Sequence, residues 1–228
     1  MAASRDLSHA QILAAALELL EERGLPEFSV RSLAERLGVG AAALRWHIGS
    51  RDRLLVDVVD TVLADLHLPD PETLDWRAWL RSFAASLRST LKARPHLAPI
   101  VRDLMGCAPR SLDISAACQH VLRTAGYRDV QLLEVYNAYI GFVIGFNFVE
   151  LTQRAVTSSL ASDSDLIGRL QATATAHPSP LVQEMIAQGQ DAFLVSQAEA
   201  IVDSAYRAGL EGLMAGLPAP AVRGADRH

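Results

Sequence analysis

The sequence predicts an all-α protein: a three-helix head at the N-terminus and a larger helical body behind it. Three observations carry this. Half of the 228 residues are hydrophobic and only 6% are aromatic, and the apolar bulk is Leu, Ala and Val, a composition that suits helices. Apolar residues recur at helical spacing, with no regular period-two alternation. The stretch Ser29 to Leu55, SVRSLAERLGVGAAALRWHIGSRDRLL, reads as two short helices joined by a glycine turn and followed by the start of a third. Such a pair is the helix-turn-helix arrangement, whose second helix enters the DNA major groove.

The first helix is predicted from His9 to Arg23. Ser8 and Gln11 form a capping box ahead of it, Ile12, Ala15, Ala16, Leu19 and Leu20 make its buried stripe, and Gly24 stops it. Ser29 caps the second helix, with Val30, Leu33, Ala34 and Leu37 on its apolar face. After Gly38-Val39-Gly40 the third helix runs from Ala41 to His47, held inward by Leu44 and Ile48, with Trp46 assigned to packing. Ser50 caps a fourth helix, Arg51 to Leu66, whose Leu54, Leu55, Val58, Val59 and Val62 repeat at helical spacing.

Leu68-Pro69-Asp70-Pro71 breaks the chain, and a domain boundary is expected nearby. The expected division is a DNA-binding domain over residues 1–53, a ligand-binding and dimerisation domain over 54–217, and a frayed tail over 218–228, with helix 4 (51–66) linking the first two. In the body, helices are predicted from Trp76 to Ala93, burying Trp76, Leu80, Phe83 and Leu87, then from His96 to Met105, and from Leu112 to Ala125 after a break at Pro109. Asp129 to Thr152 is apolar on nearly every side, so it needs cover all round, from its own domain and from a partner subunit. The Ser-, Thr- and Ala-rich residues 153–180 read as a mobile arm, and a last amphipathic helix is expected from Asp191 to Met214.

The net charge is −5, but it is uneven: residues 31–53 hold five arginines against two carboxylates, while residues 57–228 carry the whole negative balance. A basic patch on an acidic body fits a DNA-binding head attached to a domain of different purpose. The single lysine, Lys92, leaves phosphate contacts to arginine. The opening MAASRDLSHAQ has no signal-peptide core, and no unbroken run of 18 apolar residues occurs, which predicts a cytoplasmic chain with no membrane partner. Cys107 and Cys118 show no zinc spacing and read as two half-buried thiols.

The first helix with its terminal glycine, followed by SVRSLAERLGVGAAALRWHIGSRDRLL, resembles the head of the tetracycline-repressor (TetR) family of transcription regulators. The tryptophan-led helix, the step from Lys92 to Leu97 and the apolar helix ending at Glu150 add a weaker likeness to the tetracycline repressors themselves. The resemblance implies a homodimer that binds a palindromic double-stranded operator and releases it when a small-molecule effector enters the body. It also implies DNA contacts. Arg31 and Arg45 are assigned to a phosphate or to the O6 and N7 of guanine. Ser29, His47 and Arg51 are assigned to the backbone, two of them at helix N-termini that favour phosphate. Arg45 stands where the family has tyrosine. Ala41, Ala42 and Ala43 fill positions that often carry polar reading groups, and offer only apolar contact, such as to a thymine methyl.

For the effector, large apolar walls with a few polar anchors are required. In the first half of the body the candidates are His67, Trp79, Phe83, Leu87, Val101 and Met105. In the apolar helix they are Tyr136, Asn137, Ile140, Gly141, Phe148 and Glu150. Gly141 and Gly145, four apart, leave a smooth groove open either to a ligand or to a partner helix. By the resemblance, His67 matches a ligand-contacting histidine, while Ile100 and Val101 stand where a metal-binding histidine is expected. No metal or other cofactor is therefore expected, and the effector is expected to be a larger, largely apolar or aromatic molecule. No phosphate loop, nucleophile elbow, metal motif or carboxylate pair marks an enzyme. The competing reading is a helical receptor whose head binds DNA weakly and acts through another protein.

Overall fold

The computed structural model describes residues 7–161 and 199–220, with residues 168, 169, 172, 176, 178–181, 183 and 184 between them; side chains of the first stretch are described as far as Thr152. Among the described residues the chain is helical and has no strand. The helices are α1 (His9–Arg23), α2 (Val30–Leu37), α3 (Ala41–Ile48), α4 (Arg51–Ala64), α5 (Trp76–Ala93), α6 (Ala98–Leu104), α7 (Pro109–Thr124), α8 (Asp129–Ala161) and α9 (Glu199–Gly216), with a short 3-10 turn at Met105–Cys107. By internal contacts the chain divides into two units, residues 1–138 with 218–228, and residues 139–217.

In the first unit the local signals set the helix ends. The Ser8–Gln11 capping box forms in both directions, and Gly24 closes α1 with its N–H on the Leu20 carbonyl at 2.9 Å. Ser29 caps α2 by accepting the Ser32 N–H at 3.0 Å. Gly38, left-handed at φ 67°, ends that helix and turns the chain towards α3. Ile12, Ala16, Leu20, Leu33, Leu44, Ile48 and Leu54 meet in a buried core that joins α1 to α4. Arg36 ties α2 to α1 through Glu18 and Glu22. Helix α4 packs on α1 and α3 and also on α6 and α7, so one helix serves the head and the body. Its last turn ends at Ala64, two residues before the expected limit, and Leu66 is still buried.

Several expectations change. Pro109 begins α7 rather than breaking the chain before it, because a proline at the first helical position loses no hydrogen bond. Helix α6 starts at Ala98, after a turn that includes Pro95 and His96. Trp76 is only half-buried, with the Arg77 guanidinium 4.0 Å from its ring centroid. The thiols differ: Cys107 is exposed and Cys118 is buried. Pro218 to Pro220 are held, not frayed. Tyr127 donates its hydroxyl to the Pro218 carbonyl at 2.9 Å, Gln131 donates to the Ala219 carbonyl at 2.9 Å, and Pro220 lies against Gly126.

Helix α8 runs nine residues beyond the expected Thr152, to Ala161, so the polar stretch after Thr152 begins as helix. The remainder of the expected arm lies largely outside the described residues, as do residues 191–198 of the expected last helix. In the second unit, Phe142 stacks on Tyr206 with centroids 5.8 Å apart, and Phe146 meets the same ring edge-on at 5.2 Å. Tyr206, Leu210 and Met214 form the buried face of α9. By length and composition the Asp129–Thr152 stretch, of mean hydropathy 1.4, is apolar enough to cross a membrane, although no unbroken apolar run of that length exists. Only 33% of that window is buried, and Val130, Leu133 and Val149 are among its exposed apolar residues.

Candidate nucleic-acid interface

The head gathers four of the sequence-predicted contact residues at one place. Ser29, Arg31, Arg45 and Arg51 line a concavity of about 410 Å³ together with Val30, Ile48, Gly49 and Ser50. Its lining includes the first residues of two helices, α2 and α4. The leading N–H groups of α2 and α4 have no intrahelical acceptor and point outward with the positive ends of the helix dipoles. Ser29 and Ser50 are the respective caps, Ser50 accepting the Arg53 N–H at 3.1 Å. Gly49, at φ 70°, makes the sharp step from α3 into α4 that sets the two starts side by side. Sequence reasoning missed Ser50 and Gly49 as parts of this surface; the signal was the Gly-Ser step itself.

The arginines are not equally available. Arg31 donates to Glu35 at 3.0 Å, one turn along α2, with both side chains well exposed. Arg51 lies 5.7 Å over the buried Phe28 ring and 3.9 Å from Asp52. Arg45 and His47 are exposed on α3, as are Ala42 and Ala43, while Ala41 is half-buried. Trp46 overturns its assignment to packing. It is 83% exposed and meets His47 edge-on, centroids 5.0 Å apart. The reason is helical phase. Leu44 and Ile48 define the buried side of α3, and with 3.6 residues per turn Trp46 falls about 180° from their midpoint.

The effector candidates fall in both units. Trp79, Phe83, Leu87 and Val101 are core residues of the first unit. Trp79 stacks on Phe83 at 5.8 Å and gives its indole N–H to the Pro69 carbonyl at 2.7 Å, so its polar handle is engaged. Met105 and Tyr136 are half-buried, and the Tyr136 hydroxyl pairs with Ser115. His67 and Asn137 are exposed; the His67 N–H donates to Ser86 Oγ at 3.0 Å. Ile140, Gly141, Phe148 and Glu150 belong to the second unit, where Phe148 and Glu150 are buried, Ile140 half-buried and Gly141 exposed. Among the described residues no cluster of three or more His, Cys, Asp or Glu suits a metal ion.

The comparisons with known proteins bear on both parts. Residues 12–58 match the family of bacterial regulatory proteins described as tetR, and residues 68–220 match the tetracyclin repressor-like C-terminal domain. The class A tetracycline repressor of transposon 1721 from Escherichia coli is 32% identical over 209 residues, 90% of this chain and 88% of that one. An HTH-type transcriptional regulator of Saccharopolyspora erythraea is 32% identical over 139 residues, covering 61% of this chain and 59% of that protein. In structure, the TetR family protein ActR of Streptomyces coelicolor, in complex with (S)-DNPA, superposes with a TM-score of 0.66 at 25% identity, over 93% of this chain and 98% of that one. A helical chain with this head is a DNA-binding transcription regulator of the helix-turn-helix class. It belongs to the TetR family.

Proposed function

We propose that this regulator is a ligand-responsive repressor that binds a palindromic operator as a homodimer. The observation that carries the DNA contacts is the concavity shared by Ser29, Arg31, Arg45 and Arg51. Three guanidinium groups beside two helix N-termini form a seat for backbone phosphate, which such termini bind without further help. Positioning on DNA rests on these residues, with His47 on the far flank of α3. Binding of this kind falls steeply with salt, because each neutralised phosphate releases counterions. The DNA-binding domain is taken as residues 1–53 and the effector and dimer domain as 54–217.

The dimer reading rests on α8 and α9. Both carry exposed apolar residues, Val130, Leu133 and Val149 on the first and Ile201 on the second, and pairing with their copies in a four-helix arrangement would cover them without a membrane. Two heads so joined read half-sites about 34–36 Å apart. The effector is proposed to be a small, largely apolar or aromatic molecule. ActR, similar in fold, is complexed with (S)-DNPA. Helix α4 touches both head and body helices, so a ligand preferring a shifted α4 would release DNA by its differential affinity for that state. The chain acts in the cytoplasm and performs no catalysis on this reading.

The test is a gel-shift titration of the full chain on the DNA flanking its own gene, at two salt concentrations. A specific shift that weakens with salt is expected. A salt-insensitive shift, or none on any genomic fragment, would turn the reading to a receptor that acts through another protein.

A further inference from the structure

The exposed side of α3 is divided by chemistry, and the division assigns roles within the operator contact. Trp46 stands at the centre of that side, opposite the buried Leu44 and Ile48. With 100° between successive residues, Ala42 lies about 40° to one side of it and Ala43 about 60° to the other. Arg45 and His47 stand about 100° away, on opposite flanks. The middle of the helix therefore presents an indole and two methyl groups, with no side-chain acceptor and no charge. The Arg45 flank opens on the concavity that holds Arg31, Arg51 and the starts of α2 and α4.

We propose that the centre of each operator half-site is read by apolar contact, thymine 5-methyl groups seated on Ala42, Ala43 and the Trp46 ring, while Arg45 is committed to phosphate. The inference rests on the head being DNA-binding. The chemistry of the groove supports it. Among the four bases only thymine offers a methyl group in the major groove, and alanine and aromatic side chains are suited to meet it. A purine edge set against this platform would find one donor, the Trp46 indole N–H, for its N7 or O6, and an adenine N6 would find no side-chain acceptor, which is costly in a water-excluded contact. Arg45 shares its concavity with two other guanidinium groups and two helix starts, an arrangement whose complement is a phosphate rather than one base edge. Specificity then comes from shape and methyl burial, and affinity from charge.

The experiment begins with a random-sequence duplex pool, from which the full chain selects its own sites. The enriched half-sites are expected to carry thymines at their centre. Each is then replaced by uracil, which removes the methyl and keeps every hydrogen-bonding group. Loss of about fourfold in affinity per contacted methyl is expected, the factor that corresponds to ~0.8 kcal/mol for a buried carbon. Trp46→Ala should lower the ratio of selected to scrambled duplex affinity, and Trp46→Phe should keep most of it. Arg45→Ala should weaken both duplexes alike and lower the salt slope by about one. Trp46 is almost wholly exposed, so its replacement leaves the head folded. A selected site that tolerates uracil throughout would overturn the proposal. So would one that depends on the N7 of a guanine and loses that dependence with Arg45→Ala. Failure to enrich any sequence would overturn the DNA-binding reading, and this inference with it.

Discussion

The Arg94 guanidinium lies 2.7 Å from the Asp65 carboxylate. Asp65 caps the C-terminal end of α4, and the same guanidinium donates through Nε to Glu21, in the last turn of α1, at 3.0 Å. One side chain in the connection after α5 thus ties together the first helix of the head and the far end of the helix shared with the body. All three side chains are partly solvated, so each pair contributes at most about 1 kcal/mol, less in salt. Arg94→Ala is expected to lower the melting temperature by about 2–4 °C for each kcal/mol lost. Glu21→Gln and Asp65→Asn should each give part of that loss, and a double-mutant cycle with Arg94→Ala should recover the coupling. Melting curves at low and at 1 M salt check it: the three losses should converge at high salt.

A second prediction concerns Gly209 on α9. An alanine methyl there would sit 2.8 Å from two carbons of the Phe142 ring, closer than carbon atoms pack. Phe142 is held in turn by its stack on Tyr206. The ring cannot move without disturbing that stack, so overpacking of about 1–3 kcal/mol should outweigh the ~1 kcal/mol that alanine gains in helix propensity. Gly209→Ala should therefore lower the denaturation midpoint. Gly212→Ala, where nothing lies within 4 Å, should hold or raise it, and equilibrium unfolding of both variants separates the two.

What was legible in the sequence follows from how local the physics is. The Ser8 box, the Ser29 and Ser50 caps and the Gly24 and Gly38 stops each act within four residues, and each marks its helix end in the structure. The concavity of the head was legible only as a list of arginines, because the closeness of Ser29 to Arg45 and Arg51 depends on the turn angle at Gly49. Trp46 was misread on its size and apolar ring, although Leu44 and Ile48, both read as inward, already set the helical phase that turns it to solvent. The continuation of α8 to Ala161 was hidden by composition. Thr, Ser and Ala there read as loop, yet the helix, once nucleated by the apolar stretch before it, extends at little cost.

The two cysteines should behave differently. Burial pushes the Cys118 thiol up to about 12, whereas Cys107 is exposed. Only the thiolate reacts, so a thiol reagent at pH 8 should label Cys107 in the folded chain and both cysteines after denaturation. The raised Cys118 value also has a sign for stability. Its folded form keeps the proton that the unfolded form loses near pH 9, so stability present below pH 9 should decline as pH rises towards 12. Cys118→Ala should remove that part of the alkaline decline, which unfolding curves across pH 8–11 would reveal.

The last prediction concerns Glu35, whose carboxylate holds Arg31 at 3.0 Å on the exposed side of α2. Arg31 can serve phosphate through its Nη groups while its Nε holds Glu35, so the carboxylate both competes for the guanidinium and faces the backbone's negative charge. Glu35→Gln removes both costs. An exposed pair of this kind is weak, so the gain is bounded at about two- to fivefold in affinity. It should be largest at low salt and vanish as screening grows. Arg31→Ala should weaken binding, and adding Glu35→Gln to it should restore less than Glu35→Gln adds to the intact chain, because only the repulsion remains to be relieved. Equal gains in both backgrounds, measured by fluorescence anisotropy on a labelled duplex at three salt concentrations, would show that Glu35 does not compete with DNA for Arg31 and would remove Arg31 from the phosphate seat.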